Sequence, residues 1–149
     1  MTEEYYEQNL FGEMVKVNLT EEEDNSFSSE GEEYKGAFNV FALTDSVGER
    51  DKRKSWTLYQ KALASGMSGE EVFWRIVWVV KTMILVSKTK SAEEAEVKPF
   101  VYSKTKTFLK NWKPEELEKL SMSLVVGYHD ARRGLVEIET LLEKILLTL

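Results

Sequence analysis

Lysines form the one group of residues in this sequence whose spacing suggests a binding chemistry. Residues 98–113 contain no acidic side chain and carry Lys98, Lys104, Lys106, Lys110 and Lys113. If this stretch is helical, Tyr102, Lys106, Lys110 and Lys113 share one face, opposite Val101 and Phe108, and could contact phosphates. An ordinary solvated face is the alternative. Lys104, Lys106, Lys110 and Lys113 are therefore candidate nucleic-acid contacts.

The residue types offer little for catalysis. The sequence has no cysteine, which excludes disulfides, zinc–thiolate sites and thiol nucleophiles. His129 is the only histidine, and its neighbour Asp130 would not face it on a helix, so the pair does not suggest a Ser-His-Asp arrangement. The eight glycines form neither a phosphate-binding loop nor a dinucleotide-binding turn. We expect no catalytic residue, no metal ligand and no cofactor.

Charge divides the chain into two parts. Residues 1–34 carry 11 acidic side chains and one lysine, a net charge of -10, whereas residues 35–149 carry 19 basic and 15 acidic side chains, a net charge of +4. A strongly acidic segment repels itself and buries little surface. We predict that residues 1–36 are an acidic, disordered tail and that residues 37–149 form one domain. The tail could be a simple linker, or it could shield the basic surface from wrong partners.

Apolar spacing and helix-ending residues predict six helices after this tail. They are expected over residues 38–47, 51–65 and 72–87, and then from Pro99, from Pro114 and from Leu135. Ser68 and Glu71 fit a capping box, while Gly48, Gly66 and Gly134 stand where helices should end. No run alternates with a period of two for long enough to predict a strand. The predicted fold class is all-α, a six-helix bundle.

The third predicted helix is apolar around most of its circumference, because Trp74, Trp78 and Leu85 lie outside its inward stripe. Such a helix is central to a bundle or is covered by a partner. Its apolar run is too short to span a bilayer and is interrupted by Arg75 and Lys81. The N-terminus lacks the pattern of a secretory signal, so we expect a cytoplasmic protein without membrane contact.

Four segments then occur in a suggestive order: NVFALTDSVGERDKRK at 39–54, KPFVYSKTKTFLKNW at 98–112, YHDARRG at 128–134 and LVEIETLLEKILLTL at 135–149. Together they resemble the C-terminal collar domain of the delta subunit of the bacterial DNA polymerase III clamp loader. The resemblance covers residues 38–149, which is 112 of the 149 residues. Each segment alone is a modest match, and their shared order and spacing make the resemblance specific.

The resemblance implies a collar-like fold that joins the collars of other clamp-loader subunits in a hetero-oligomer and contributes to DNA replication. It makes the chain a component of the DNA-directed DNA polymerase III holoenzyme that has no active site of its own. Any contact with DNA would be made through the larger complex. Expected partner contacts are Trp74, Trp78, Arg132 and Arg133. The two AAA+-like domains that precede the collar in this family, and that grip and open the clamp, have no counterpart here, so clamp opening is not implied. Residues 5–17 loosely resemble a strand start in the first of those domains.

Two other functions remain open from the sequence. A small basic helical module could bind nucleic acid through Lys104, Lys106, Lys110 and Lys113. An enzymatic function is the third alternative, although no residue pattern supports it.

Overall fold

The computed structural model describes residues 5–8, 14–17 and 38–149, and the chain divides into two compact units, Met1–Lys35 and Gly36–Leu149. In the first unit, β1 (Tyr5–Gln8) pairs with β2 (Met14–Val17) in an antiparallel register that places Tyr5 opposite Val17. The sequence predicts no strand, because four residues are too few for an alternating pattern to be recognised. The rest of the predicted acidic tail lies outside the described residues.

Six helices form the second unit, which confirms the predicted all-α, six-helix class for residues 38–149. They are α1 (Val40–Gly48), α2 (Lys52–Ala64), α3 (Gly69–Ser87), α4 (Pro99–Leu109), α5 (Pro114–Arg132) and α6 (Ile138–Leu147).

Local signals explain where most of these helices begin. The Ser68 hydroxyl accepts a hydrogen bond from the Glu71 amide at 3.2 Å, and the Glu71 carboxylate accepts one from the Ser68 amide at 3.1 Å. This is the predicted capping box of α3, which satisfies two amides that the helix leaves unpaired. The Asp51 carboxylate caps α2 by accepting from the Lys54 amide at 3.0 Å. Pro99 and Pro114 occupy the first helical positions of α4 and α5, as expected.

Two of the three predicted glycine stops are confirmed. Gly66 follows α2 with a φ of 93° and Gly134 follows α5 with a φ of 75°, a backbone conformation that favours glycine. The prediction for Gly48 is wrong, since Gly48 is the last residue of α1 and the left-handed residue after that helix is Arg50, with a φ of 60°. A Cβ on Gly48 would lie 2.6 Å from Cγ of Phe108. Glycine is therefore needed there for the close packing of α1 on α4.

The central helix of the bundle is α3, which contacts each of the other five helices. Its fully buried face carries Val72, Phe73, Ile76, Val80 and Met83, residues spaced three or four apart as an amphipathic helix requires. Tyr59 of α2 is also fully buried, and its hydroxyl donates to the Glu139 carbonyl at 3.2 Å. Burial raises the pKa of Tyr59 to about 12, with smaller contributions from the negative charges of Glu139 and Glu143.

The sixth helix is shorter than the sequence predicts. It begins at Ile138, and Leu135, which was expected on its inward face, is 67% exposed. Leu141, Leu142 and Ile145 are buried as predicted. The difference arises because Gly134 ends α5 and the chain needs residues 135–137 to turn before α6 can start.

Candidate interaction site

An open apolar groove lies between α3 and α5, with a volume of about 340 Å³. We call it the α3/α5 groove. Its apolar walls include Trp74, Val77 and Ile84 from α3 and Leu124, Val125 and Tyr128 from α5. Its polar lining consists of Lys81, Ser121 and His129. Because the predicted inward stripe of α3 includes Val77 and Ile84, their partial exposure here marks surface that the bundle does not cover.

An aromatic cluster fixes one end of this groove. The ring of Trp74 meets Phe73 edge-on at 5.3 Å between centroids and Tyr128 at 5.0 Å, while Phe73 and Tyr128 stack at 5.2 Å. Such edge-to-face and offset contacts hold aromatic rings in defined orientations. Trp74 nevertheless remains 48% exposed. It is therefore a large apolar group held in a fixed position with half of its surface in solvent.

Exposed apolar residues continue from the groove across the outer face of α5. Met122 is 63% exposed, Val125 is 52% exposed and Val126 is 50% exposed. None of them belongs to the stripe of α5 that was predicted to face the core, in which Leu117 and Leu124 are indeed buried. Their positions off that stripe were the signal in the sequence that could have revealed this surface.

A second groove lies between α5 and α6 and has a volume of about 380 Å³. Met122, Val126, Leu141 and Ile145 line it together with charged residues of both signs, Asp130 and Lys144. The two helices approach closely there, because a Cβ on Gly127 would overlap the Leu141 side chain. The α3/α5 groove differs from it in having no acidic residue in its lining.

The structure brings only part of the predicted partner-contact set together. Trp74 lies in the α3/α5 groove, and Trp78, one turn later, is partly buried and packs against the core. Arg132 is the last residue of α5 and Arg133 follows it, both exposed and beyond the lining of the groove. Trp74 is joined to α5 through Tyr128, and Arg132 lies one helical turn after that tyrosine.

The candidate lysines do not share one helical face. Helix α4 ends at Leu109, so Lys110 follows the helix and Lys113 stands before α5. Lys104 forms an ion pair with Asp45 at 2.6 Å, and Lys106 Nζ lies 5.4 Å from the centre of the Tyr102 ring. Tyr102 itself is buried and donates its hydroxyl to the Thr89 carbonyl at 3.1 Å. The predicted position of Tyr102 on an exposed basic face is therefore wrong, while nucleic-acid contact by the lysines stays a prediction.

Arg50 has a structural role that its position in a run of basic residues does not suggest. Its guanidinium lies 4.6 Å from the Trp112 ring centre and donates to Glu116 at 2.7 Å and to the Asn111 carbonyl at 3.2 Å. The hydrogen bond from Arg50, and then that from the Lys113 amide, lower the pKa of Glu116. Arg50 thereby ties the turn after α1 to the turn before α5.

The described residues contain no group of three or more histidine, aspartate or glutamate side chains placed to hold a metal ion. In the same part of the chain, no helix has both the length and the apolar composition needed to cross a membrane.

Comparisons with protein-family models, with curated proteins and with solved structures find no match to this chain.

Proposed function

We propose that this chain is a subunit-contact protein of the clamp-loader collar type, which serves DNA replication by packing against other clamp-loader subunits of DNA polymerase III. The observation that carries the proposal is the α3/α5 groove, in which Trp74 is held by Phe73 and Tyr128 while it remains 48% exposed. The resemblance of residues 38–149 to a delta-subunit collar supplies the identity of the partners.

Trp74 has the properties of an interface anchor. Tryptophan is enriched among the few residues that dominate binding energy, and such residues are effective when they are rigid before binding. Val125 and Met122 extend the same apolar surface, whereas exposed Arg132 and Arg133 would supply charged groups at its edge. An apolar centre with a polar rim is the usual composition of a specific protein interface. In this proposal the chain contributes contacts and no catalytic residue.

The test is association with the other clamp-loader subunits of the same cell. The full chain is co-expressed with them, and the complex is measured by size-exclusion chromatography and by titration. We expect a hetero-oligomer whose affinity falls about tenfold or more in Trp74→Ala, as is typical when an anchoring tryptophan is truncated. The matched control is Phe100→Ala on α4, which also truncates an exposed aromatic residue. A chain that stays monomeric in the presence of those subunits would refute the proposal.

Direct nucleic-acid binding is the competing function, and the exposure of Lys106, Lys110 and Lys113 favours it. Binding of the full chain to primed DNA is measured at two salt concentrations. Phosphate contacts predict a steep loss of affinity as salt rises, with a smaller slope in a Lys106, Lys110 and Lys113 triple glutamine variant. Weak binding with an unchanged slope in that variant would exclude these lysines as the contacts.

A further inference from the structure

We propose that the α3/α5 groove binds a single amphipathic α-helix of a partner protein, with an acidic side chain of that helix placed against Lys81. The inference deepens the proposed function, on which it rests, because it states the chemistry of the partner at the same surface.

The backbone of the groove favours a helical occupant. Both walls are α-helices, whose amide and carbonyl groups are already hydrogen-bonded within α3 and α5. An extended peptide would find no strand edge there to satisfy its own backbone groups. A helix satisfies its backbone internally and needs only side-chain contacts, so it suits a groove that offers no backbone partners.

The length of the groove sets the number of anchoring residues. The lining of α3 runs from Phe73 to Ile84, a distance of about 16 Å at the rise of an α-helix. About three turns of a second helix fit along it, which corresponds to apolar anchors spaced i, i+4 and i+7. Trp74 and Val125 are the exposed apolar residues available to these anchors.

Charge decides between possible partners. Among the lining residues, Lys81 carries a positive charge and none is acidic. In a symmetric contact with a second copy of this chain, the same surface would face itself, so Lys81 would find no opposite charge in the groove of the partner copy. A helix with a glutamate or aspartate beside its apolar anchors complements Lys81 directly. The groove therefore fits an acidic amphipathic helix better than a second copy.

The experiment is a selection from displayed helical peptides with the full chain as bait. The probe library fixes leucine at i, i+4 and i+7 and draws the flanking positions equally from glutamate, lysine and glutamine. We expect enrichment of glutamate at the flanking positions. The best selected peptide, labelled with fluorescein, is then titrated with wild-type and variant chains, and anisotropy gives its affinity.

Two pairs of variants locate the binding. Val125→Glu should weaken the selected peptide about tenfold or more, because it puts a negative charge on the apolar wall. Val126→Glu is the matched control, since this neighbouring valine is equally exposed but does not line the α3/α5 groove, and it should change the affinity less than about twofold. Lys81→Glu should reverse the selection and enrich lysine, whereas Lys144→Glu should leave it unchanged.

Several outcomes would overturn the inference: no enriched helix, enrichment of lysine on the wild-type chain, or equal effects of Val125→Glu and Val126→Glu. These results are separable from those of the proposed function. If clamp-loader subunits bind and Val125→Glu does not weaken them, the inference fails and the proposed function stands. If acidic helices bind in the groove and no clamp-loader subunit associates, the proposed function fails and the binding chemistry of the groove stands.

Discussion

The Tyr59 hydroxyl links α2 to the first turn of α6 through its hydrogen bond to the Glu139 carbonyl. Burial raises its pKa from 10.0 to about 12, so the folded state favours the neutral form. The resulting stabilisation is complete below pH 10 and is lost as the pH rises from 10 towards 12, because only the unfolded chain ionises readily in that interval. At neutral pH, Tyr59→Phe should lower the free energy of unfolding by about 1 kcal/mol through loss of the hydrogen bond.

Urea unfolding of both proteins between pH 7 and pH 11.5 measures this effect. The difference in the free energy of unfolding between the wild-type chain and Tyr59→Phe should shrink above pH 10. A constant difference across the whole range would show that the ionisation of Tyr59 is not coupled to folding.

Single residues also show where prediction from the sequence reaches its limit. Arg50 stands in a run of basic residues and Tyr102 in a lysine-rich stretch, so both suggest solvent exposure. In the structure, Arg50 bonds to Glu116, 66 positions away, and Tyr102 bonds to Thr89. The partners lie in other elements, and helical spacing within one segment carries no information about them.

At the scale of elements, the contact between α1 and α4 depends on the absence of a side chain at Gly48. Phe108 occupies the space where a Cβ would lie, and Trp112 donates its indole N–H to the Gly48 carbonyl at 3.0 Å. Gly48→Ala should therefore destabilise the fold by about 1–3 kcal/mol, as overpacking usually does. Without this contact, alanine would stabilise the helix by about 1 kcal/mol relative to glycine. A loss of stability in Gly48→Ala would therefore indicate overpacking, whereas a gain would indicate helix propensity alone.

A double-mutant cycle with Phe108→Leu checks the cause of that loss. The same Gly48→Ala change should cost less in the Phe108→Leu background, because the smaller, more flexible side chain can yield. Chemical denaturation of the four proteins gives the coupling energy. If Gly48→Ala stabilises the wild-type chain, or if the two changes are additive, close packing is not the reason for glycine at this position.

Helix ends were predictable where their signals are local. Ser68 and Glu71 lie within one turn of each other, and Gly66 and Gly134 lie two residues after the last residue of the helices that they end. Gly48 was misassigned because its role depends on Phe108 of α4, and Leu135 because the turn between α5 and α6 takes up residues 135–137. The strands β1 and β2 escaped prediction because each is only four residues long.

At the scale of the whole molecule, the sequence predicted that α3 is apolar nearly all round but not which part of it other helices cover. Trp74 and Trp78 were equivalent candidates, and the bundle leaves Trp74 half exposed while Trp78 packs against the core. That distinction depends on how the neighbouring helices pack around α3, which helical spacing does not specify. Met122, Val125 and Val126 lie off the predicted core stripe of α5, which was the available sequence signal, but only the assembled fold shows the grooves that they line.

Charge distribution over the whole chain leads to a final prediction. Residues 1–35 carry 11 acidic and two basic side chains, a net charge of -9, whereas residues 36–149 carry 18 basic and 15 acidic side chains, a net charge of +3. The fragment 36–149 should fold alone, because it is a compact unit that contains all six helices. It should also bind heparin several-fold more tightly than the full chain at low salt, since it lacks the charges that repel a polyanion.

Circular dichroism checks the folding of the fragment, and retention on heparin at increasing salt measures the charge effect. The difference in retention between the fragment and the full chain should shrink towards physiological salt, where charges more than about 8 Å apart are screened. A full-length variant with Glu21, Glu22 and Glu23 changed to glutamine and Asp24 to asparagine is the matched control, because it keeps the length and removes four charges. The retention of this variant on heparin should lie between that of the full chain and that of the fragment 36–149. Retention of this variant equal to that of the full chain would mean that the N-terminal segment acts by its bulk and not by its charge.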